Sequence, residues 1–296
     1  MQKVLVISGP TATGKSDLAR YLAKELNGEI ISGDSIQVYR GLDIGSAKET
    51  EAEQAEVPHH LIDILDPQQR YSVKDFQLQS RRLIAEIAAR GRLPIIAGGT
   101  GLYIRACLYD YVFEEEEGED DPYPALSNQE LYQRLQELDP KALEKIHPNN
   151  RKRLLRAYNV CRKSGMPFSA NDKAKGEPLY DALIIGLTME REELYARIDR
   201  RVEAMAAAGL KEEIAGLLSQ GVDFSCQSMQ GIGYKEYKEY FSGEKSEEEC
   251  LQLIKSHTHH FVKRQYTWFR HQLNVSWHEP QEREKIRQEV ETWLKN

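Results

Sequence analysis

This chain has no long hydrophobic run, no cysteine pattern and no excess of positive charge. Among its 296 residues there is no stretch of about 18 consecutive apolar residues, which argues against a membrane-spanning helix. The four cysteines, Cys107, Cys161, Cys226 and Cys250, are scattered without a CxxC pair, which argues against a disulfide framework or a Cys-rich zinc site. The formal net charge is −7, so the surface as a whole is not suited to non-specific binding of polyanions, although a local basic patch remains compatible with that balance. The opening residues, MQKVLVISGP, carry no charged leader, no long apolar region and no small-residue cleavage site. They read as a buried strand running into a loop, and the expected location is the cytoplasm. There is no internal repeat and no low-complexity tract. What is present is ordinary for a globular protein: 40% hydrophobic and 29% charged residues, at a length that allows a core domain with a second, smaller one.

Strands and helices alternate along the first part of the chain. KVLVIS (3–8) is a strand-length apolar run, followed by GPTATGKS (9–16) and then by a helical pattern with Leu18, Ala19, Leu22, Ala23 and Leu26 on one face. GEIISGDS (28–35) reads as a second strand ending in Asp34. Residues 72–90 read as a helix, with Val73, Phe76, Leu83, Ile84 and Ile87 at near-helical spacing. LPIIAGGTG (93–101) is a third buried strand with a glycine turn, and DALIIGLTM (181–189) a fourth. This order predicts an α/β fold with a parallel sheet and flanking helices, of the phosphate-loop nucleoside-triphosphate-hydrolase type. Between the third and fourth strands the composition changes. EEEEGEDDPYP (114–124) reads as a solvated linker or loop, and 128–139 and 150–165 read as helices. The predicted division is a core of residues 1–110 and 180–296 with an all-helical insertion at 111–179. From residue 190 onward the chain reads as largely helical.

The first motif carries the clearest chemistry. Strand, Gly9-Pro10-Thr11-Ala12-Thr13-Gly14-Lys15-Ser16 and helix, in that order, form a phosphate-binding loop. Backbone amides after Thr11 and the positive end of the helix face an anion, Lys15 adds a mobile charge, and Ser16 can place a hydroxyl on Mg²⁺. An ordinary nucleotide hydrolase also needs a strand ending in Asp to hold the metal. LPIIAGGTG ends in Gly98-Gly99-Thr100-Gly101 instead, whereas the second strand ends in Asp34. Strand carboxyl ends in such sheets face the ligand crevice, so Asp34 and Thr100 are both expected near the loop. Asp34 is open to three roles: metal ligand, general base or structural cap.

Two basic segments interrupt the acidic background. RKRLLRAYNVCRK (151–163) holds six Lys or Arg and no acid; KSHTHHFVKRQYTWFRHQ (255–272) holds four Lys or Arg, four His and four aromatics, again without acid. Cations interleaved with rings suit RNA phosphates and bases, while the arginines are equally readable as a solvated face. His257 and His260 lack a neighbouring Cys or acidic ligand, so packing or RNA contact is expected of them rather than zinc. From these residues alone, a group transferase, a kinase of a small metabolite and a non-catalytic RNA-binding protein stand nearly level.

Taken together, the motifs resemble a known family. GPTATGKS, GDSIQVYRGLDIGSAK, VPHHLID (57–63), AGGTGLYIRA (97–106), MQGIGYKEY (229–237) and KRQYTWFR (263–270) occur in the order found in bacterial tRNA dimethylallyltransferases, the tRNA isopentenyltransferase (IPP transferase) family, from residue 1 to about 275. The resemblance implies transfer of a dimethylallyl group from dimethylallyl diphosphate to N6 of adenosine 37 in tRNA. Gly9, Pro10, Thr11, Ala12, Thr13, Gly14, Lys15 and Ser16 would then hold a diphosphate with Mg²⁺ at Ser16, and a nucleotide such as ATP need not be the ligand. It further implies Asp34 as general base, Thr100 as a residue positioning the reacting groups, and Lys15 as a charge on the leaving diphosphate. Arg197 is a further diphosphate contact in this reading. The tRNA contacts implied are Asp34, Ser35, Ile36, Gln37 and Thr100; Lys152, Arg153, Leu154, Leu155 and Arg156; and Gln230, Gly231, Ile232, Gly233, Tyr234 and Lys235. The helical insertion would clamp the anticodon stem-loop, with no membrane and no obligate protein partner, the protein being a monomer. Many relatives have Thr where Ser16 stands, which preserves the hydroxyl. Some eukaryotic relatives carry a C-terminal zinc finger; this chain ends in ETWLKN, and no zinc is expected.

Overall fold

The computed structural model describes residues 1–110, 123–171 and 176–296, so the acidic run from 114 to 122 lies outside the described residues. In chain order the elements are β1 (Lys3–Ser8), α1 (Lys15–Glu25), β2 (Gly28–Ser32), α2 (Glu51–Glu56), β3 (His59–His60), α3 (Val73–Ala89), β4 (Leu93–Ala97) and α4 (Gly101–Leu108). Then come α5 (Asn128–Leu138), α6 (Pro140–Leu143), α7 (Arg151–Ser164) and α8 (Phe168–Asn171). The chain continues with β5 (Asp181–Leu187), α9 (Arg191–Ala207), α10 (Leu210–Ser219), α11 (Lys238–Phe241), α12 (Glu247–Gln272), β6 (Ser276–His278) and α13 (Arg283–Lys295). Residues Met1–Leu108 with Pro178–Asn296 make one compact unit, and Tyr109–Glu177 a second.

The first unit is built on a parallel sheet in the order β3-β2-β4-β1-β5-β6. β1 is central because its sequence lets it be: Val4, Leu5, Val6 and Ile7 are fully buried, as befits β-branched and aliphatic residues covered on both faces. Leu5 pairs with Ile95 of β4 on one side and Leu183 of β5 on the other. The chain leaves β1 toward β2 on one side of the sheet and returns after β4 to β5 on the other. The connection direction therefore reverses at β1, and a ligand crevice is expected beside its carboxyl end. Parallel pairing brings Ser8, Ser32, Ala97 and Leu187 to that same edge.

Helices cover the sheet through apolar stripes. Leu18, Ala19, Leu22 and Ala23 of α1 are buried with Leu5, Ile7 and Ile30, in a cluster that α13 completes with Ile286 and Val290. Capping boxes start α3 (Ser72 with Asp75) and α12 (Ser246 with Glu249), each satisfying the first-turn amides. β3 and β6 lie outside the strand runs anticipated from sequence. Each is a short edge strand, two and three residues long, created by pairing with β2 and β5. No helix among the described residues is long and apolar enough to cross a membrane.

The second unit has its own core of Leu131, Leu135, Ala142, Ile146, Leu154, Ala157, Tyr158 and Cys161. Leu154 is fully buried, which corrects its reading as an RNA contact: its side chain holds α7 to α5, while Leu155 is half-buried against the same cluster. Lys152, Arg153 and Arg156 lie on the exposed side of α7. Buried Asp139 joins α6 to the start of α8, accepting from Ala142 N at 3.3 Å, Ser169 N at 2.6 Å and Ser169 Oγ at 2.6 Å.

Candidate active site

A cavity of about 830 Å³ opens at the carboxyl ends of β1, β2 and β4. The loop after β1 forms one wall. Ala12 (φ 64°) and Gly14 (φ 88°) turn the backbone through the left-handed region, and α1 begins at Lys15. The N–H groups of Ala12, Thr13, Gly14, Lys15 and Ser16 have no hydrogen-bond partner among the described residues, the arrangement an anion needs. Thr11, Ala12, Gly14, Lys15 and Ser16 line the cavity, while Gly9, Pro10 and Thr13 are buried behind it. Thr13 Oγ1 and Lys15 Nζ both donate to Pro10 O, at 2.8 and 2.6 Å, so these residues shape the loop from within.

Asp34 is reached from the end of β2. Its Oδ1 accepts the N–H of Ile36 at 2.8 Å and of Gln37 at 3.4 Å, which makes it a turn cap; Oδ2 has no hydrogen-bond partner among the described residues. Ser35, Ile36 and Gln37 also line the cavity, although Gln37 is spent on structure: it accepts from Ser32 Oγ at 2.9 Å and donates to Ala47 O at 3.3 Å. Thr100, just before α4, also lines the cavity, at the end of the strand that neighbours β2.

The electrostatics concentrate on four groups. Burial of its ammonium, and then the Arg201 cation, push Lys15 down to about 7, against the opposing pull of Asp34 and Glu49. Burial likewise lowers Arg201, and the same two carboxylates offset it. Glu49 is buried and lines the cavity; its carbonyl oxygen accepts from Gln54 Nε2 at 2.8 Å, and its carboxylate has no hydrogen bond or ion pair among the described residues. For Mg²⁺ the donor set is chemically apt: a serine hydroxyl and free carboxylate oxygens, hard ligands of the kind that hold this ion beside phosphate oxygens and waters. The described residues contain no cluster of three His, Cys, Asp or Glu, so protein ligands would be few.

Arg201 is the residue that sequence reasoning missed in favour of Arg197. Arg197 does not line the cavity; its Nη1 meets Met189 Sδ at 4.0 Å, whereas Arg201, one turn later on α9, does line it. The signal was there: Arg201 interrupts the apolar stripe of Leu194, Ile198 and Val202, where a charge needs a reason.

The segment 230–235 forms a further wall through Gln230, Gly231, Ile232, Gly233 and Lys235. Tyr234 is the exception and corrects its reading as an RNA contact: it is fully buried, and its hydroxyl donates to Glu213 Oε1 at 2.7 Å. That carboxylate also accepts the N–H of Asp43 (3.0 Å), Ile44 (2.7 Å) and Gly45 (3.2 Å), joining two walls. Glu236 accepts from Gly233 N at 2.9 Å and pairs with His257 Nδ1 at 2.7 Å, which gives His257 a packing role. His260 Nδ1 lies 2.8 Å from Ser256 O on its own helix.

α12 supplies Thr258, Phe261, Arg264 and Gln265 to the cavity. Gln265 was not singled out by sequence, although it lies in KRQYTWFR. Its Oε1 accepts from Thr11 N at 3.1 Å and its Nε2 donates to Gly99 O at 3.0 Å. Gly99 and Gly101 make room for this helix: a Cβ on the first would overlap Gln265 Nε2, and on the second the Trp268 ring.

Comparison with known proteins gives a consistent result. A family model described as IPP transferase matches residues 37–272. A tRNA dimethylallyltransferase of Anoxybacillus flavithermus is 47% identical over 280 residues, covering 93% of this chain and 90% of that protein. A tRNA isopentenylpyrophosphate transferase from Staphylococcus epidermidis, solved by crystallography, is 41% identical with a TM-score of 0.75, and the match covers 100% and 99% of the two chains. A eukaryotic dimethylallyltransferase captured acting on tRNA is 28% identical, with a TM-score of 0.81 over 94% of this chain and 74% of that one.

Proposed function

The chain belongs to the IPP transferase family, and on that premise we propose that it transfers a dimethylallyl group from dimethylallyl diphosphate to N6 of adenosine 37 in tRNA. The observation that carries the reading is the meeting of a phosphate loop, two cations and a carboxylate with a free oxygen in one cavity. The adenine amine attacks the allylic carbon; the N–C bond forms, the C–O bond breaks, and diphosphate leaves. The exocyclic amine of adenine is a weak nucleophile because its lone pair is delocalised into the ring, and Asp34 meets this: Oδ2 accepts the proton while Oδ1 stays on the Ile36 and Gln37 amides. Charge growing on diphosphate is met by the amides of Ala12–Ser16, Lys15 and Arg201, which act most strongly in the transition state. Mg²⁺ held through Ser16, when bound, adds positive charge at the same oxygens. Thr100, at the end of the neighbouring strand β4, orients the reacting groups.

The apolar wall supports a prenyl donor. Ile198, Val202 and Met205 of α9 and Ile254 of α12 line the cavity and offer a branched five-carbon chain a surface without polar demands. Exposed Lys152, Arg153 and Arg156 on the second unit, and Gln230–Gly233 with Lys235 on the first, are the proposed RNA contacts, with the second unit as the clamp on the anticodon stem-loop. The reading carries with it a cytoplasmic monomer whose macromolecular partner is RNA. The relatives are named as transferases on tRNA, and nothing among them supports a kinase of a small metabolite.

The test is direct. The protein, Mg²⁺, dimethylallyl diphosphate and an unmodified anticodon stem-loop with the target adenosine are combined, and the RNA is weighed by mass spectrometry. A mass gain of one prenyl group, lost in Asp34→Ala, is expected; unchanged RNA with ATP consumed in the presence of metabolites would overturn the reading.

A further inference from the structure

We propose that Gln265 is a positioning residue: its amide fixes the phosphate loop and the Gly98–Thr100 loop in the one mutual arrangement from which transfer occurs. The inference rests on the reading of this cavity as a diphosphate-donor site. Gln265 is 6% exposed and lies on α12, far in sequence from both loops. The loops follow different strands, β1 and β4. Backbone pairing through Gly98 N to Ile7 O at 3.1 Å ends where they diverge. Beyond that point the Gln265 side chain ties Thr11 to Gly99, accepting at 3.1 Å with Oε1 and donating at 3.0 Å with Nε2.

The chemistry requires an amide. Thr11 offers an N–H and Gly99 a carbonyl oxygen, so the bridging group needs one acceptor and one donor on the same carbon. Both bonds are partly buried, and a side chain of the same shape without them leaves two unpaired backbone groups. The tie also separates functions along the loop. Thr11 N–H is satisfied by protein, whereas the N–H groups from Ala12 to Ser16 have no partner among the described residues and can serve an anion. On the other side, holding Gly99 fixes the next residue, Thr100. One side chain thereby sets the distance between the diphosphate cradle and the residue facing the acceptor. Gly99 is what lets Gln265 come this close.

Two variants of the full chain test this. Gln265→Met keeps the shape and removes both bonds. Its expected signature is a fall of about tenfold or more in kcat/KM for dimethylallyl diphosphate and a Kd for inorganic diphosphate weakened about fivefold by calorimetry. KM for the RNA should stay within about twofold. Gln265→Glu keeps the acceptor but repels Gly99 O when ionised; protonated, its carboxylic acid again has one donor and one acceptor. The ratio of its kcat/KM to that of the unmodified protein at the same pH should therefore rise severalfold from pH 8 to pH 5.5. Wild-type donor kinetics in Gln265→Met would overturn the proposal. So would a flat pH ratio in Gln265→Glu, which would reduce Gln265 to packing; this arm also decides the matter if the Met variant does not fold. If the unmodified protein binds inorganic diphosphate yet leaves RNA unprenylated, the proposed function fails, and the diphosphate Kd of Gln265→Met still judges this inference.

Discussion

Lys15 Nζ donates to the carbonyl oxygen of Pro10, 2.6 Å away, inside the loop proposed to hold the diphosphate. An ammonium in this position has no ion-pair partner among the described residues, and burial with Arg201 nearby brings its pKa down to about 7. The folded value lies below the ordinary 10.5, so between those limits the unfolded chain holds more protons, and this group's contribution to stability rises with pH across that window. Diphosphate reverses the balance by placing negative charge beside the nitrogen. Binding of inorganic diphosphate at pH 8 should therefore take up to about one proton, seen as a buffer-dependent enthalpy in calorimetry. Lys15→Met should abolish the uptake. A binding enthalpy independent of buffer would put the ammonium out of reach of the ligand.

In the proposed reaction Asp34 divides its two oxygens between structure and chemistry, and Asn separates them. Asp34→Asn retains an Oδ1 acceptor for the turn but cannot accept the amine proton. Turnover should fall about 10²- to 10⁴-fold, with diphosphate affinity unchanged or improved as a negative charge leaves the cavity. Equal losses in single-turnover rate and diphosphate binding would remove Asp34 from the role of base.

The two arginines of α9 give opposite expectations. Arg201→Met removes a charged donor from the cavity and should weaken kcat/KM for the donor about 10- to 100-fold, the scale of a charge-assisted hydrogen bond. Arg197→Met removes a contact with Met189 and should leave kcat/KM within about twofold. The reverse result would return the diphosphate contact to Arg197.

On α7, neighbours one residue apart should behave differently. Replacing Arg153 and Arg156 together by Ala should flatten the slope of log K against log salt for RNA binding by about 1.5. Leu154→Ala should leave the slope alone and destabilise the second unit by about 2–5 kcal/mol, as a large-to-small change in a core does. An unchanged slope in the arginine pair would make both ordinary surface residues.

The central strands could be read from sequence because β1, β2, β4 and β5 are apolar runs buried on both faces, a property of the residues themselves. β3 and β6 could not, since three residues such as Ser276–His278 show no alternation and become a strand only by lying along Ile185–Leu187. The same distinction runs through the cavity. The phosphate loop, Asp34 and Thr100 are legible because local motifs at strand ends place them. Arg201, Gln265 and Glu213 act through partners distant in sequence, and nothing near Glu213 foretells the amides of Asp43–Gly45. Tyr234 and Leu154 are misread for the converse reason: each lies beside exposed members of its motif, Lys235 and Arg153, while its own side chain is buried.

Leu179 N donates to Leu108 O, and Asp110 N to Glu177 O, each at 2.9 Å. The first bond lies within the core unit and the second within the helical unit, so the two ends of the insertion are neighbours in space. Such a junction makes the segment an interchangeable cassette. Its length and surface can drift over evolutionary time, or be swapped by an engineer, while the sheet that carries the chemistry keeps its register.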